Sequence, residues 1–198
     1  MCAERLRLFV AADIPREHRD SIACALEPLK EKVPGARWVK PDNLHLTVKF
    51  IGEYGEDGLE RLSNEIEAAA GRCAPFVACL GRCGAFPSPG KARVLWVGME
   101  RGEEEAAVVA RRLDARLERA GVRREGRGYR GHLTVARLKT PADCGAFLEE
   151  LAARMKEAGG LAFEVEKLTL YRSILSPSGP TYVALRRFAL GGEGRGED

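Results

Sequence analysis

The chain has 198 residues, of which 45% are hydrophobic and 31% are charged, and its net charge is +3. These values are typical of a globular protein with a substantial core. They exclude a disordered chain, a fibre and a protein that coats nucleic acid nonspecifically. One segment is nevertheless basic, because the charged residues between positions 123 and 139 are Arg123, Arg124, Glu125, Arg127, Arg130, Arg137 and Lys139. Charge alone predicts an exposed, solvated loop there.

The N-terminal segment and the cysteines bear on location and metal binding. The apolar run from Leu8 to Ala12 ends at Asp13, which makes it too short for a signal sequence or a membrane span. The expected location is therefore the cytoplasm. The six cysteines include no CxxC pair, so free thiols are expected, and Cys79 and Cys83 lack further zinc ligands nearby. No cofactor and no metal site are predicted.

Apolar spacing predicts alternating strands and helices in the first half of the chain. They are a strand at residues 5–12, a helix from Pro15 to about Lys32, a short strand at Trp38 and Val39, a strand over Leu44–Ile51 and a helix over 57–70. Two further strands, Phe76–Leu80 and Arg93–Gly98, flank a loop with the sequence GRCGAFPSPGKA. His18 lies among charged residues of the first helix and is expected at the surface.

The second half continues in the same manner. The predicted elements are a helix over 103–120 that Gly121 stops, a strand over Gly131–Leu138, a helix from Pro141 to about Ala158, and strands over Phe163–Tyr171 and Thr181–Phe188. This mixed order predicts the α+β class. Residues 1–190 are expected to form a single domain, and the tail at 191–198 is expected to be disordered.

The tetrapeptide His-Leu-Thr-Val occurs twice, at 45–48 and at 132–135, and two of the three histidines of the chain begin the copies. The copies are 87 residues apart (132 − 45), which is close to half the chain. One His-x-Thr in a strand usually belongs to an ordinary half-exposed strand. Two identical copies at this separation indicate a duplicated fold and a functional pair.

Successive side chains of a strand point to opposite faces. His45 and Thr47 therefore share one face in the first copy, as His132 and Thr134 do in the second. The same alternation extends these faces backward to Asn43 and Arg130 and forward to Lys49 and Ala136. If the two strands face each other, they form a cleft with two imidazoles, two hydroxyl donors and at least one cation.

This set of groups suits displacement at phosphorus without a metal. Imidazole titrates near neutral pH, so one ring can accept a proton from the attacking oxygen while the other donates one to the leaving oxygen. The hydroxyls of Thr47 and Thr134 can donate to the nonbridging phosphate oxygens, and the Arg130 guanidinium can bind them in a bidentate manner. The spacing identifies the pair but does not say which ring has which role.

Five segments make the sequence resemble the 2H phosphoesterases, and within them the RNA 2′,3′-cyclic phosphodiesterases, long called 2′–5′ RNA ligases. NLHLTVKFIGE and YRGHLTVARL resemble the two family motifs, and LRLFVAADIP resembles its opening strand. GRCGAFPSPGKARVLWVG and LTLYRSILSPSGPTYVAL also fit the family pattern. The resemblance covers most of the chain, with no departure at the motif positions.

The resemblance implies a bilobal fold of duplicated β-α-β units, with antiparallel sheets facing a central cleft and one motif in each lobe. It implies that His45 is the proton donor and that His132 is the acceptor that activates water. The implied product is a 2′-phosphate, formed by breaking the bond to the 3′ oxygen. The implied partner is RNA with 2′,3′-cyclic phosphate ends, such as tRNA fragments, or cyclic nucleotides. A monomer is expected, with no membrane partner.

Two alternative functions remain open at this point. The same site run backward is an ATP-independent ligase that joins RNA ends through 2′–5′ bonds; water should outcompete an RNA hydroxyl unless both ends are held. The second alternative is a binding module for phosphorylated nucleotides without turnover, which the intact histidines and threonines disfavour.

Overall fold

The structure is a computed structural model, and it describes residues 4–177 and 179–192. In these residues four α-helices accompany two antiparallel sheets. The helices are α1 (Arg16–Leu26), α2 (Leu59–Ala70), α3 (Glu103–Leu117) and α4 (Gly145–Glu157). The strands are β1 (Arg5–Asp13), β2 (Ala36–Trp38), β3 (His45–Gly55), β4 (Phe76–Phe86), β5 (Ala92–Arg101), β6 (His132–Ala142), β7 (Leu161–Val165), β8 (Lys167–Ser176) and β9 (Gly179–Ala189).

The order of the strands repeats from one sheet to the other. The four-stranded sheet has the order β3-β1-β8-β9, and the five-stranded sheet has the order β2-β6-β5-β4-β7. The run β3-β1-β8 in the first sheet therefore corresponds to β6-β5-β4 in the second. The expected α+β class and the duplicated antiparallel architecture are confirmed, and each sheet carries one His-Leu-Thr-Val strand, β3 or β6.

The two repeats exchange elements. β4 closes the first repeat but pairs with β5, and β8 closes the second repeat but pairs with β1. The helices also cross over, because α1 follows β1 yet packs against α4 beside the five-stranded sheet, whereas α3 follows β5 yet packs against β3 and α2. One continuous cluster of buried apolar side chains joins both repeats. Neither repeat has a core of its own.

Two helices differ from the expected bounds, and a proline lies at each difference. The first helix ends at Leu26 and continues as a 3₁₀ helix over Glu27–Lys32, because Pro28 has no N–H and its ring opposes an α-helical turn. The expected start of the fourth helix at Pro141 is wrong. Pro141 lies in β6, and the helix begins after the Asp143 carboxylate accepts the Gly145 N–H at 2.9 Å.

Two strand predictions also need correction. The expected loop after Leu80 is largely strand, because β4 continues to Phe86. Its Gly84 is required by close packing rather than by a turn, since a Cβ there would lie 2.2 Å from the Trp96 ring. The single strand expected over Phe163–Tyr171 is two strands in different sheets, with β7 beside β4 and β8 beside β1.

The other elements lie close to their expected positions, and Gly121, at φ +81°, ends the turn after α3 as expected. The expectation of a disordered tail falls mainly on residues 193–198, which lie outside the described residues. In the described part of the chain, no helix combines the length and the apolar character that crossing a membrane requires.

Candidate active site

The first histidine of the repeat begins β3 and is held by its own backbone. His45 lies opposite Asp13 of β1 in the strand register. Its Nδ1 donates to the Asn43 carbonyl at 2.7 Å; because a carbonyl only accepts, this contact places a hydrogen on Nδ1. The ring packs 4.8 Å from the Phe9 ring and edge-on to Tyr182 at 4.9 Å. Nε2 is therefore the ring nitrogen left for a ligand.

The second histidine is held in the same way. His132 begins β6, and its Nδ1 donates to the Arg130 carbonyl at 2.8 Å. The ring lies edge-on to Phe86 at 5.0 Å and to Trp96 at 6.3 Å. In both repeats the carbonyl two residues before the histidine fixes the ring orientation and the tautomer. Within the described residues, no hydrogen bond reaches Nε2 of either ring, so both Nε2 atoms can exchange a proton with a ligand.

The two histidines sit where the sheets meet. Strands β3 and β6 contact each other although they belong to different sheets. Burial lowers the pKa of His45 below its usual value, and the nearby positive charges of His132 and Arg137 act in the same direction, whereas the Asn43 carbonyl and Asp13 raise the pKa. Burial is the largest of these effects, so His45 favours its neutral form.

Each motif strand carries a β-bulge directly after its threonine. In β3, Thr47 pairs with Ala11 and Lys49 pairs with Val10, so Val48 is the extra residue. In β6, the residues that pair with Trp96 and Leu95 are Thr134 and Ala136, so Val135 is the extra residue. A bulge reverses the inward and outward alternation of the side chains that follow it. The repeat therefore includes a backbone feature as well as four side chains.

The bulges overturn the expected extension of the functional face. Lys49 and Ala136, expected beside the threonines, are buried, with exposed fractions of 4% and 0%. The exposed residues beyond the bulges are Phe50, at 61%, and Arg137. Phe50 and Arg137 occupy equivalent positions in the two copies, five residues after each histidine. A strict two-residue alternation could not have found them.

Lys49 has a structural role instead. Its Nζ is ion-paired with the Asp114 carboxylate of α3 at 2.5 Å and donates to the Arg123 carbonyl at 2.9 Å. The Lys49 ammonium group, expected to face the cleft, is therefore buried on the other side of β3 and bound to Asp114. It links the first motif strand to α3 and to the segment that leads to the second motif.

Both threonines lie half-buried on the same strands as the histidines. Among the described residues, neither hydroxyl has a hydrogen-bond partner, although the Thr47 carbonyl accepts the Tyr129 hydroxyl at 3.3 Å. Arg130 precedes β6 rather than lying in it. It is exposed and lines a cavity of about 230 Å³ together with His132, Phe86 and Trp96. The structure thus places all five sequence-predicted site residues on or beside β3 and β6.

An acidic group beside His45 was missed by sequence reasoning. Asp13 ends β1 next to the ring. Its carboxylate accepts hydrogen bonds from the Thr169 hydroxyl at 3.0 Å and from the Tyr171 hydroxyl. Burial, with the Asp13 hydrogen bond, raises the pKa of Tyr171, so Tyr171 stays a donor. The only sequence signal was that Asp13 is a charged residue at the end of an otherwise apolar strand. Its partners in β8 lie more than 150 positions away, so local patterns could not identify them.

Aromatic rings line both sides of the site. In the four-stranded sheet, the Phe9 ring stacks 5.3 Å from Tyr171, meets the edge of Tyr182 at 5.0 Å and lies 6.3 Å from Phe50. In the five-stranded sheet, Trp96 lies flat over two glycines, Gly84 and Gly98, whose Cβ atoms would clash with its ring. Phe9 itself is buried beneath its neighbours, whereas Phe50 is exposed and Trp96 is half-buried. Accessible aromatic rings of this kind can stack a nucleobase.

Outside the site, His18 is half-buried rather than at the open surface, because its Nε2 contacts the Ala162 carbonyl at 3.0 Å and its ring lies 5.7 Å from that of Phe163. Each cysteine that the structure describes is a free thiol. In residues 4–177 and 179–192, no group of three or more His, Cys, Asp or Glu side chains is placed to hold a metal ion.

Comparisons with known proteins agree with the duplication. A family model described as LigT like phosphoesterase matches residues 13–96 and again residues 97–182. The first match contains His45 and the second contains His132.

Similar sequences include two curated archaeal proteins named RNA 2′,3′-cyclic phosphodiesterase. The protein from Methanothermobacter thermautotrophicus is 34% identical over 186 residues, which cover 94% of this chain and 100% of the relative. The protein from Archaeoglobus fulgidus is 35% identical over 186 residues, covering 92% of this chain and 99% of the relative.

Similar solved structures include a protein from Thermus thermophilus, at 31% identity and a TM-score of 0.77, covering 95% of this chain and 100% of that one. Another is E. coli LigT complexed with 3′-AMP, at 27% identity and a TM-score of 0.73, covering 94% of this chain and 99% of that one.

Proposed function

Because the chain belongs to the LigT-like phosphoesterase family, we propose that it is an RNA 2′,3′-cyclic phosphodiesterase that opens terminal cyclic phosphates to 2′-phosphomonoesters. The observation that carries the proposal is the matched pair of rings. His45 and His132 are each anchored through Nδ1, and each leaves Nε2 without a partner among the described residues. Relatives that carry the name of this activity align over nearly the whole chain.

The proposed reaction is an in-line displacement at phosphorus with two proton transfers and no metal. His132 accepts a proton at Nε2 from a water molecule whose oxygen attacks the phosphorus. The bond from phosphorus to the 3′ oxygen breaks, and that oxygen takes the Nε2 proton of His45. The 2′ oxygen keeps the phosphate. The matched anchoring of the two rings supports the pairing, and the assignment of donor and acceptor rests on the family resemblance.

The environment of His45 is consistent with a donor that becomes charged when the substrate binds. Burial and the positive neighbours lower the pKa of His45. A bound phosphodiester brings one negative charge, which raises that pKa by favouring the charged ring. The Asp13 carboxylate, held by Thr169 and Tyr171, adds a fixed negative charge on the same side of the ring. Substrate binding and formation of the acid are thereby coupled.

The remaining groups are proposed to hold the phosphate and the nucleoside. The Thr47 and Thr134 hydroxyls can donate to the nonbridging oxygens, where charge increases in the transition state. Arg130 faces the cavity beside His132 and can supply a bidentate guanidinium. The exposed Phe50 ring and the half-buried rings of Tyr182 and Trp96 can stack the terminal base. We also propose that the protein acts as a monomer in the cytoplasm, on RNA ends such as those of tRNA fragments or on cyclic nucleotides.

Product analysis tests the function. The protein is incubated with RNA that ends in a 2′,3′-cyclic phosphate, with and without a second RNA that bears a 5′-hydroxyl. We expect a 2′-phosphate end in both reactions. A joined product with a 2′–5′ bond would assign the ligase instead, and binding of a cyclic nucleotide without turnover would assign a binding module. The variant His132→Ala serves as the control for contaminating activity.

A further inference from the structure

We propose that residues 123–130, called here the basic loop, bind the phosphates of the RNA chain upstream of the reacting end. This inference rests on the proposed function and adds to it. It states that the substrate is a polynucleotide whose backbone is held outside the catalytic cleft, rather than a free cyclic nucleotide.

The charges of the basic loop are available to a ligand. The loop carries four arginines against one glutamate, and Arg124 is ion-paired with Glu118 at 2.9 Å. In the described part of the chain, no ion pair engages the other loop arginines, and the side chains of Arg123 and Arg127 are exposed. Guanidinium groups match phosphate geometry better than ammonium groups do. The loop therefore presents cations whose charge the protein does not use internally.

The loop is held at both ends on the first motif strand. At its start, Lys49 donates to the Arg123 carbonyl at 2.9 Å, and the Asp114 carboxylate accepts the Glu125 N–H at 3.3 Å. At its end, the Tyr129 hydroxyl donates to the Thr47 carbonyl at 3.3 Å. An arch fixed at two points loses less conformational freedom on binding than a free loop does. Two of these three hydrogen bonds are partly buried, so the position of the loop beside β3 is fixed.

The loop also leads directly into the catalytic centre. Its last residue, Arg130, holds the His132 ring through its carbonyl and lines the cavity beside that ring. A 2′,3′-cyclic phosphate is always the 3′ terminus of its strand, so the rest of an RNA leaves the site in one direction only. The loop also reaches the strand of His45, because the Tyr129 hydroxyl donates to the Thr47 carbonyl. Upstream phosphates that pass along the loop would meet the exposed side chains of Arg123 and Arg127, whereas a cyclic mononucleotide has no such phosphates.

The test compares substrates that differ only in length. kcat/KM is measured on a 2′,3′-cyclic mononucleotide and on oligoribonucleotides of increasing length that end in the same cyclic phosphate. The proteins are the wild type, Arg123→Gln, Arg127→Gln and the double variant. Arg127→Lys keeps the charge, and Lys156→Gln removes an exposed charge from α4, on another part of the molecule. Each measurement is repeated over a range of salt concentrations.

We expect the double variant to lose about tenfold in kcat/KM on the oligonucleotides, which is the order of two charge-assisted contacts in partly exposed positions. On the mononucleotide it should match the wild type. Each lost contact should reduce the salt dependence of log kcat/KM by about 0.7, the contribution of one phosphate in a single strand. Arg127→Lys should keep most of that dependence, and Lys156→Gln should change neither quantity.

Equal kinetics of the double variant and the wild type on every RNA length would overturn the proposal and assign the loop to another partner or to solvent. An equal loss on the mononucleotide would also overturn it, because the loop would then act through the catalytic centre. Failure of the wild type to turn over any cyclic phosphate would instead overturn the proposed function, so the two failures are distinguishable.

Discussion

The two motif strands are alike in their backbone and different in their surroundings. Each begins with a histidine held by the carbonyl two residues earlier, and each has a bulge after its threonine. His45, however, is half-buried between Phe9 and Tyr182 and lies opposite a carboxylate, Asp13. His132 lies opposite Gly98, beside an open cavity and the Arg130 side chain.

This difference shows that one duplicated motif lies in two different environments. The Asn43 and Arg130 carbonyls hold both rings in the same tautomer, whereas burial, Asp13 and the neighbouring cations act on the pKa of His45. Under the proposed function, different surroundings let two identical motifs take different roles. Substitutions that remove one of the two rings, or change what surrounds it, test the proposed roles.

Removing either ring is expected to have the largest effect. His45→Ala and His132→Ala should each lower kcat on a 2′,3′-cyclic substrate on the order of 10²–10⁴-fold, because one proton transfer is lost. The double variant should lose less than the product of the two single effects, since the pair acts as a unit. Thermal melts should change little, because Leu46 and Leu133 keep the core. Near-normal turnover by either folded variant would refute the paired mechanism.

Arg130→Ala removes the cation that lines the cavity beside His132. We expect KM on a cyclic mononucleotide to rise about tenfold with a smaller change in kcat, because a charge-assisted contact to phosphate is lost. Thermal stability should stay near that of the wild type, since the side chain is exposed. The matched control is Arg124→Ala, whose guanidinium is paired with Glu118. Unchanged KM and kcat would place Arg130 outside the site.

Asp13→Asn removes the carboxylate opposite His45, so that both histidines lie opposite an uncharged residue. The Asp13 charge raises the pKa of His45, so its removal should lower that pKa further. If His45 is the donor, the alkaline limb of the kcat/KM profile then moves to lower pH, because the ring loses its proton earlier. Activity at neutral pH should fall several-fold. Tyr171→Phe keeps the carboxylate and serves as the control; an unmoved limb in Asp13→Asn would contradict the donor assignment.

Lys49→Met changes a position that is buried in both motif strands but charged only in the first, because its counterpart in β6 is Ala136. The substitution leaves the Asp114 carboxylate without its cation, at an expected cost of about 2–3 kcal/mol in the free energy of unfolding. Urea unfolding measures this loss. The double variant Lys49→Met/Asp114→Leu should recover much of the stability. A single variant as stable as the wild type would show that the pair contributes little.

Removal of divalent ions with a chelator is expected to leave turnover of the cyclic phosphate unchanged. No group of His, Cys, Asp and Glu within the described residues is arranged for a metal, and two imidazoles suffice for the proposed proton transfers. Activity is measured after treatment with EDTA and again after each divalent ion is added. If EDTA abolishes turnover and one divalent ion restores it, the metal-free mechanism is wrong.

Sequence reasoning could propose a site because its signals are local. The repeated tetrapeptide and strand periodicity single out His45, Thr47, His132 and Thr134 without any knowledge of the fold, and the structure places these residues on β3 and β6. It failed where a bulge changed the periodicity, as at Lys49, and where partners are distant in sequence, as at Asp13.

The same limits apply to the fold. Apolar spacing located most strands and helices, because burial on one face leaves a periodic pattern. It merged β7 with β8, since consecutive apolar segments do not reveal that the chain passes from one sheet to the other at Glu166. Such a crossing is set by pairing between strands that lie far apart along the chain.

The exchange of β4 and β8 between the sheets has a consequence for the halves as separate polypeptides. A fragment that ends in the turn after β4 would have β1 without β8 and β4 without β5, and would expose apolar surface along both. Neither half is then a folding unit, although each encodes a complete motif. Supplied together, the halves have complementary edges and are expected to reassemble.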